Sequence, residues 1–495
     1  MSRASRILPA AALAGVLVLA GCAGGSGGSA DTTLDVGLVL EPSNLDIRHT
    51  SGAALEQALV DNVYEGLVTR GEGGEVVPAL ASEWQISDDG LTYTFTLQDG
   101  VTFHDGSAMT ADDVVTSLTD TKNDESNTGA KDLAAIQDIA APDDSTVVVT
   151  LAEPNINFLF LLTGPGGLVF KSGDETDLKT AENGTGPFTL GEWIQKDSIS
   201  LERYDDYWGE PAGTDEVVLH YIPDANALVN AGLDGTLDVL TGVNADLIPQ
   251  LEDDFTVTQG ETTDKFILAF NGKDDALSDL RVRQALRMAI DHDAILATVG
   301  AGQTQFGPIP RLDPGYEDLS DTTSFDPEGA RALLAEAGVS DLTLTLTFPN
   351  VYDSQLSSLL VSMFKDIGVT LKVDTVEFSA WLNDVYTNRD YQLSFVNHVE
   401  PRDFDSWSNP DYYYSLTDAD ALAEVQDLYA DAMRQTDTDA SAKLLAEAAR
   451  VVAEQAPADW LFTRADIIAT APGVEGFPTA ATSTRLKLAG VTLAE

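Results

Sequence analysis

The groups best suited to hold a small polar molecule gather in one stretch, Phe395-Val-Asn-His-Val-Glu-Pro-Arg-Asp-Phe-Asp-Ser-Trp407. Glu400, Asp403 and Asp405 offer carboxylates to a cation, because a charge taken out of water needs an opposite partner. Arg402 can fork onto a ligand carboxylate or orient one of these acids, and Trp407 can supply an apolar wall. The competing reading is a solvated loop whose charges neutralise one another. His398 lies in the same stretch. A lone histidine is more often a hydrogen-bonded structural residue or a pH-sensitive contact than a metal ligand. The five histidines, at 49, 104, 220, 292 and 398, include no close pair, so neither a metal site nor a cofactor is expected. A second candidate is Gly184-Thr185-Gly186. Missing side chains there let backbone approach a ligand, or equally let two chain segments cross tightly.

Catalytic signatures are missing. There is no HExxH, P-loop, CxxC or dinucleotide fingerprint. Gly24-Gly-Ser26-Gly-Gly28 fits a nucleophile-elbow pattern literally, but it has no strand before it and no helix after it. With 81 acidic residues, chance carboxylate pairs are unavoidable and prove nothing. An enzyme is therefore not expected. A formal net charge of −54 repels phosphate backbones and disfavours a nucleic-acid partner. The acids are spread along the chain and read as a solvated surface.

The single cysteine has its own chemistry. Arg3 and Arg6 precede an uncharged run from Ile7 to Ala20, the shape of a secretory leader and too short to span a bilayer comfortably. Leu19-Ala20-Gly21-Cys22 then resembles a bacterial lipobox, cleaved before a cysteine whose thiol carries the lipid. Residues 1–21 are read as a lipoprotein signal peptide and 22–30 as a flexible Gly/Ser tether. The expected location is the extracytoplasmic face of the bacterial cell membrane, held by lipid on Cys22.

The elements that must position the candidate groups alternate between strand and helix, which argues an α/β fold. Strands are expected at 33–40, 91–97, 146–151, 217–222, 266–271, 342–348, 369–373 and 391–396. The spacing predicts a hairpin joining 91–97 to 101–103 through Asp99-Gly100, and a capping box at Thr110–Asp113. Helices are expected over 53–68, 226–233, 279–298, 327–337 and 354–367. The block 342–373 reads as β–α–β with a parallel pair.

Several of these stretches carry a resemblance. Val63-Tyr-Glu-Gly-Leu-Val68, Pro78-Ala-Leu-Ala-Ser-Glu-Trp84, Asp88-Asp-Gly90, Phe103-His-Asp-Gly106, Gly184-Thr-Gly-Pro-Phe188, Tyr207-Trp208 and Leu280-Arg-Val-Arg-Gln-Ala-Leu286 occur in order. Together the set resembles the peptide, oligopeptide and nickel class of extracellular solute-binding proteins, family 5. The resemblance implies a periplasmic-binding-protein-like (type II) clamp of two α/β lobes, with a small α/β domain added to the first lobe. Carried onto this chain, lobe I takes 31–75, 187–266 and 470–495, the extra domain 76–186, and lobe II 267–469. Trp84, Phe95, Phe103 and Trp208 are read as core fillers, and Gly90, Gly100 and Gly106 as turn residues.

The resemblance further implies a monomeric ABC-importer component that captures oligopeptides by lobe closure and delivers them to a membrane permease with its ATPase subunits. In peptide-binding relatives the segment matching 395–407 holds an aspartate that grips the peptide amine. The usual Asp-Tyr-x-Asp-Pro pattern is missing here. Asp403 is the first choice of replacement, with Glu400 and Asp405 behind it. A sugar or oligosaccharide receptor, a nickel-chelate receptor and a surface signalling receptor remain alternatives on the same scaffold, and a hydrolase is an alternative from a different class.

Overall fold

The computed structural model describes residues 32–71, 73–479 and 485–494. The leader, Cys22 and the Gly/Ser tether lie outside them. One large sheet organises the chain. Its main strands are β1 (Thr33–Leu38), β2 (Phe188–Ile194), β3 (Ser198–Arg203), β4 (Glu216–Tyr221), β5 (Val239–Leu240), β6 (Thr256–Phe270), β7 (Thr343–Pro349), β8 (Thr370–Val376), β9 (Leu393–His398) and β10 (Ala458–Thr470). They lie side by side in the order β8-β7-β9-β6-β10-β5-β1-β4-β3-β2.

Two strands carry this sheet across its middle. β6 pairs antiparallel with β10 from Thr256 to Glu261 and again from Lys265 to Ala269, and the register breaks in between. Thr262, Thr263 and Asp264 fill the break and are buried. One side of the break holds the parallel strands β5, β1 and β4, and the other holds the parallel strands β8, β7 and β9. Each side has its own core. Leu34, Val36 and Leu38 pack with Val217 and Leu219 on the first. Leu344, Leu346 and Phe348 pack with Leu360, Phe364 and Phe395 on the second. Such apolar runs suit parallel strands buried on both faces.

A separate four-stranded antiparallel sheet forms from Ala81–Ile86, Thr92–Leu97, Thr146–Leu151 and Ile136–Asp143 in that spatial order. Phe95 and Phe103 lie in its core, with Trp84 and Trp208 packed against the edge. Gly90, Gly100 and Gly106 all have positive φ, as turn glycines should. The helix Ala111–Asn123 starts at the expected capping box, where the Thr110 N–H donates to the Asp113 carboxylate at 2.8 Å.

Local expectations were met unevenly. The 342–373 block forms the predicted parallel pair, with helix Ser354–Asp366 between β7 and β8 and Gly368 at φ +84° closing the helix. The helix expected over 53–68 spans only Ala53–Leu59, because Val60 is already extended and Asp61 takes φ +65°. Residues 279–298 form two helices, Leu280–Met288 and His292–Val299. The Asp291 carboxylate accepts the Ala294 N–H at 3.0 Å and starts the second. The 91–103 hairpin does not form. Strand Thr92–Leu97 is central and pairs on both sides, with Ala81–Ile86 and Thr146–Leu151, while Thr102 bridges only to Ala108.

Candidate ligand-binding site

Strand direction and register locate a crevice. In β5 and β1, moving toward the carboxyl end runs along β10 from Thr470 toward the break. In β9, moving toward the carboxyl end runs along β6 from Phe270 to Lys265, again toward the break. Both sets of parallel strands therefore turn their carboxyl ends to the same gap, the place where open α/β sheets hold ligands. On the second side each strand is followed by an exposed apolar residue: Val351 after β7 (65% exposed), Phe378 after β8 (39%) and Val399 after β9 (37%).

The predicted loop 398–407 leaves β9 at this edge. Lys265, in register with His398 on β6, is 1% exposed. Its ammonium lies 2.9 Å from the Asp403 Oδ1 and donates to the Glu400 carbonyl at 3.3 Å. Arg402 adopts a left-handed φ of +54°. Its backbone N–H donates to Asp313 Oδ2 at 2.7 Å, which holds that conformation. Burial pushes the Asp313 carboxyl up to about 6 against the pull of Lys265 and of that N–H. The Arg402 guanidinium reaches the far wall, donating to Asn157 Oδ1 at 3.2 Å and lying 3.9 Å from the Phe160 ring centre.

The remaining predicted residues fall in different settings. His398 shares a 2.8 Å hydrogen bond with the Tyr413 hydroxyl. Burial lowers its pKa to about 4, with Asp403 opposing and Lys265 assisting, so it is neutral at pH 7. Glu400 and Asp405 are exposed. Trp407 is 1% exposed, stacked on Tyr414 at 3.9 Å and against Trp460 at 5.1 Å. It is a core residue here and presents no wall to the crevice.

Thr185 and Gly186 sit in a crossover against residues 62–65. A Cβ on Gly184 would stand 1.8 Å from the Val63 carbonyl, and one on Gly186 2.4 Å from the Asn62 carbonyl. Thr185 Oγ1 donates to Glu65 Oε2 at 3.0 Å. Glu65, 6% exposed, also accepts from the Tyr207 hydroxyl at 2.8 Å and Trp208 Nε1 at 3.0 Å. Burial raises its pKa to about 7 while those three donors oppose the rise. His104 completes the knot, with Nδ1 2.5 Å from Glu182 Oε2 and Nε2 2.9 Å from the Gly186 carbonyl.

Several cleft residues escaped the sequence reading. Phe160 is faced by two guanidinium groups, Arg402 from one wall and Arg70 at 4.3 Å from the other. Arg70 Nε donates to Thr163 Oγ1 at 2.9 Å, and Arg485 pairs with Asp61 at 2.9 Å while donating to the Thr163 carbonyl. Burial raises the Glu56 and Asp132 carboxyls, and Glu400 from the opposite wall adds to both shifts. A signal existed. Cations number only 27 against 81 acids, so Lys265 at the head of Phe266-Ile-Leu-Ala-Phe270, or Arg70 after a buried Leu67-Val68, was informative. The recess beside Arg402, Asp403, Asp313 and Asn157 measures about 20 Å³, room for a water rather than a solute. The walls also touch directly, through the Ile156 N–H to the Met433 carbonyl at 2.9 Å.

Residues 75–421 match the family model described as bacterial extracellular solute-binding proteins, family 5 Middle. The chain belongs to this family. It is 30% identical over 374 residues to the dipeptide-binding protein of Escherichia coli, covering 67% of this chain and 69% of that one. Heme-binding protein A of Haemophilus influenzae is 29% identical over 356 residues, covering 64% of this chain and 65% of that one. Among solved structures, HbpA2 from Haemophilus parasuis superposes with a TM-score of 0.83 at 24% identity, covering 94% of this chain and all of that one. The fold is thus the two-lobe α/β clamp of type II binding proteins. This family 5 chain has its signature stretches concentrated in the Glu65–His104 knot, away from the crevice loop.

Proposed function

We propose that this family 5 protein captures short peptides outside the cytoplasm and releases them intact to the permease of an ABC importer. The observation that carries the reading is the likeness to the dipeptide-binding protein, on a chain with a partly exposed carboxylate, Asp403, in the loop after β9. The ligand ammonium would meet the Asp403 carboxylate, with Glu400 adding negative field. Arg402, already facing the opposite wall, would receive the ligand carboxylate or keep the acids oriented. The peptide backbone would pair with strand-end amides, and Val351, Phe378 and Val399 would take apolar side chains.

In this reading 31–75, 187–266 and 470–495 form lobe I, 76–186 the added domain and 267–469 lobe II, with the bend at the Thr262–Asp264 break, a few residues before the 266/267 boundary. The protein works as a monomer, held at the membrane by lipid on Cys22, and performs no chemistry on its cargo. The test is mass spectrometry of the small molecule that copurifies from the native host, followed by calorimetric titration with alanine di-, tri- and tetrapeptides. Free-amine peptides should bind and their N-acetylated forms should bind more weakly. A copurified heme, sugar or metal chelate with no peptide affinity would overturn the reading. Cys22→Ser should leave the membrane fraction; retention would contradict the anchor.

A further inference from the structure

A buried lysine is an unusual sight in a chain where acids outnumber bases by 81 to 27. Lys265 is buried to 1% exposure, and burying a charge is costly unless it is paired and hydrogen-bonded. Its partners sit at the two ends of one four-residue turn: the Glu400 carbonyl at 3.3 Å and Asp403 Oδ1 at 2.9 Å. The middle of that turn, Arg402 in its left-handed conformation, is tied separately to Asp313 at 2.7 Å. Among the described residues Asp403 Oδ2 has no hydrogen-bond partner, and the side chain retains 14% exposure. The placement of Lys265 along β6 adds a second fact. It is the first residue to resume pairing with β10 after the buried Thr262–Asp264 break.

We propose that Lys265 is a positioning residue that ties the bending point of the sheet to the ligand anchor: its ammonium clasps both ends of the 400–403 turn and leaves one Asp403 oxygen turned to the solute. This rests on the reading that Asp403 receives the ligand ammonium. With one oxygen held, the Asp403 carboxylate is fixed in direction before the ligand arrives, so little ordering remains to be done on binding. Because the clasp stands on the strand that crosses between lobes, a bend at 262–264 moves the base of the anchor with it. The groups facing the ammonium are Asp403 and Glu400 of the turn, Asp313 of the 308–314 segment and the neutral His398 of β9.

The test uses the full chain with Lys265→Met, Lys265→Arg, Asp403→Asn and the Lys265→Met/Asp403→Asn pair. Two readouts are taken: titration with alanine tripeptide, and amide deuterium exchange of residues 399–404 without ligand. Lys265→Met should weaken tripeptide binding about a hundredfold and speed exchange across 399–404. Lys265→Arg should restore part of both. In the Asp403→Asn background, Lys265→Met should change affinity by less than about threefold, because the carboxylate it positions is gone. Binding by Lys265→Met within about threefold of the parent, unaltered exchange at 399–404, or equal losses in both backgrounds would each overturn the proposal. If the unmodified protein binds no alanine peptide, the peptide reading fails, and the exchange readout still decides whether Lys265 holds the turn. Thermal unfolding of each variant confirms that a folded molecule was measured.

Discussion

Two polar clusters look alike in the sequence and differ in the fold. The knot around Glu65 joins four stretches that make the family recognisable: Val63–Val68, Phe103–Gly106, Gly184–Phe188 and Tyr207-Trp208. The Glu65, His104, Thr185, Tyr207 and Trp208 side chains each meet a polar partner inside the protein, and the glycines admit backbone-to-backbone contact that no Cβ would permit. The 398–405 loop is built in the opposite way. Lys265 and Asp313 secure it from below, while Glu400 is exposed, Asp403 stays partly open to solvent and Arg402 reaches over to Phe160. A satisfied cluster specifies architecture, and one with open valences is where a solute can be recognised. On the proposed reading, the residues that identify the family are not those that would choose its cargo.

Substitutions should separate the two clusters, and the largest effect is expected in the knot. Glu65→Ala strands three donors, the buried Thr185 hydroxyl and the half-buried Tyr207 and Trp208 groups, each costing up to about 1–3 kcal/mol. Denaturant unfolding should report a loss of several kcal/mol, while the folded fraction keeps its solute affinity. Gly184→Ala drives a methyl into the Val63 carbonyl, with an expected loss of about 3 kcal/mol. A variant of either kind that stays stable and loses binding would place the knot at the solute instead.

A pH series sharpens the same contrast. The Glu65 carboxyl is raised from 4.5 to about 7 by burial. The unfolded chain then releases this proton first as pH rises, so the folded state binds more protons between those values. Stability from this group is greatest below about pH 4.5, falls through the window up to about 7 and is level above it, by a total on the order of 3 kcal/mol. Glu65→Gln should flatten that part of the curve. An unchanged slope between pH 5 and 7 would contradict the assignment.

The crevice should respond more gently. Phe160→Ala removes the ring that faces Arg402 and Arg70, worth about 0.5–2 kcal/mol per contact. Solute affinity should fall by about tenfold, and small-angle scattering should show a larger mean radius without solute. Equal affinity and radius would remove Phe160 from closure.

Much of the scaffold was legible because its signals are local. The alternation in Leu342–Phe348, the glycine at 368 and the cap at Thr110 each needed only a few neighbours. The misreadings came from long-range demands. The strand expected at 266–271 is only the end of one that begins at Thr256, and the polar residues Thr262–Asp264 within it are buried at the break against β10. The 91–97 strand was given the wrong partner because a central strand takes two neighbours from distant sequence. The site was half legible. The loop 398–405 announced itself by composition, but its supports, Lys265, Asp313, Asn157 and Phe160, lie far from it in sequence. Trp407 was misjudged because an aromatic beside charged residues looks the same whether it faces solute or core.

On the proposed reading, the two halves of the sheet bend about Thr262–Asp264 and shut on an intact solute. Glu192 and Lys372 are exposed positions on β2 and β8, the outermost strands of the sheet. Spin labels on Glu192→Cys and Lys372→Cys, in a Cys22→Ser chain, report the span across both halves. The distance distribution should shift when alanine tripeptide is added to saturation and return when the unaltered peptide is dialysed away. A distribution that stays fixed at saturation, or recovery of a cleaved peptide, would contradict it.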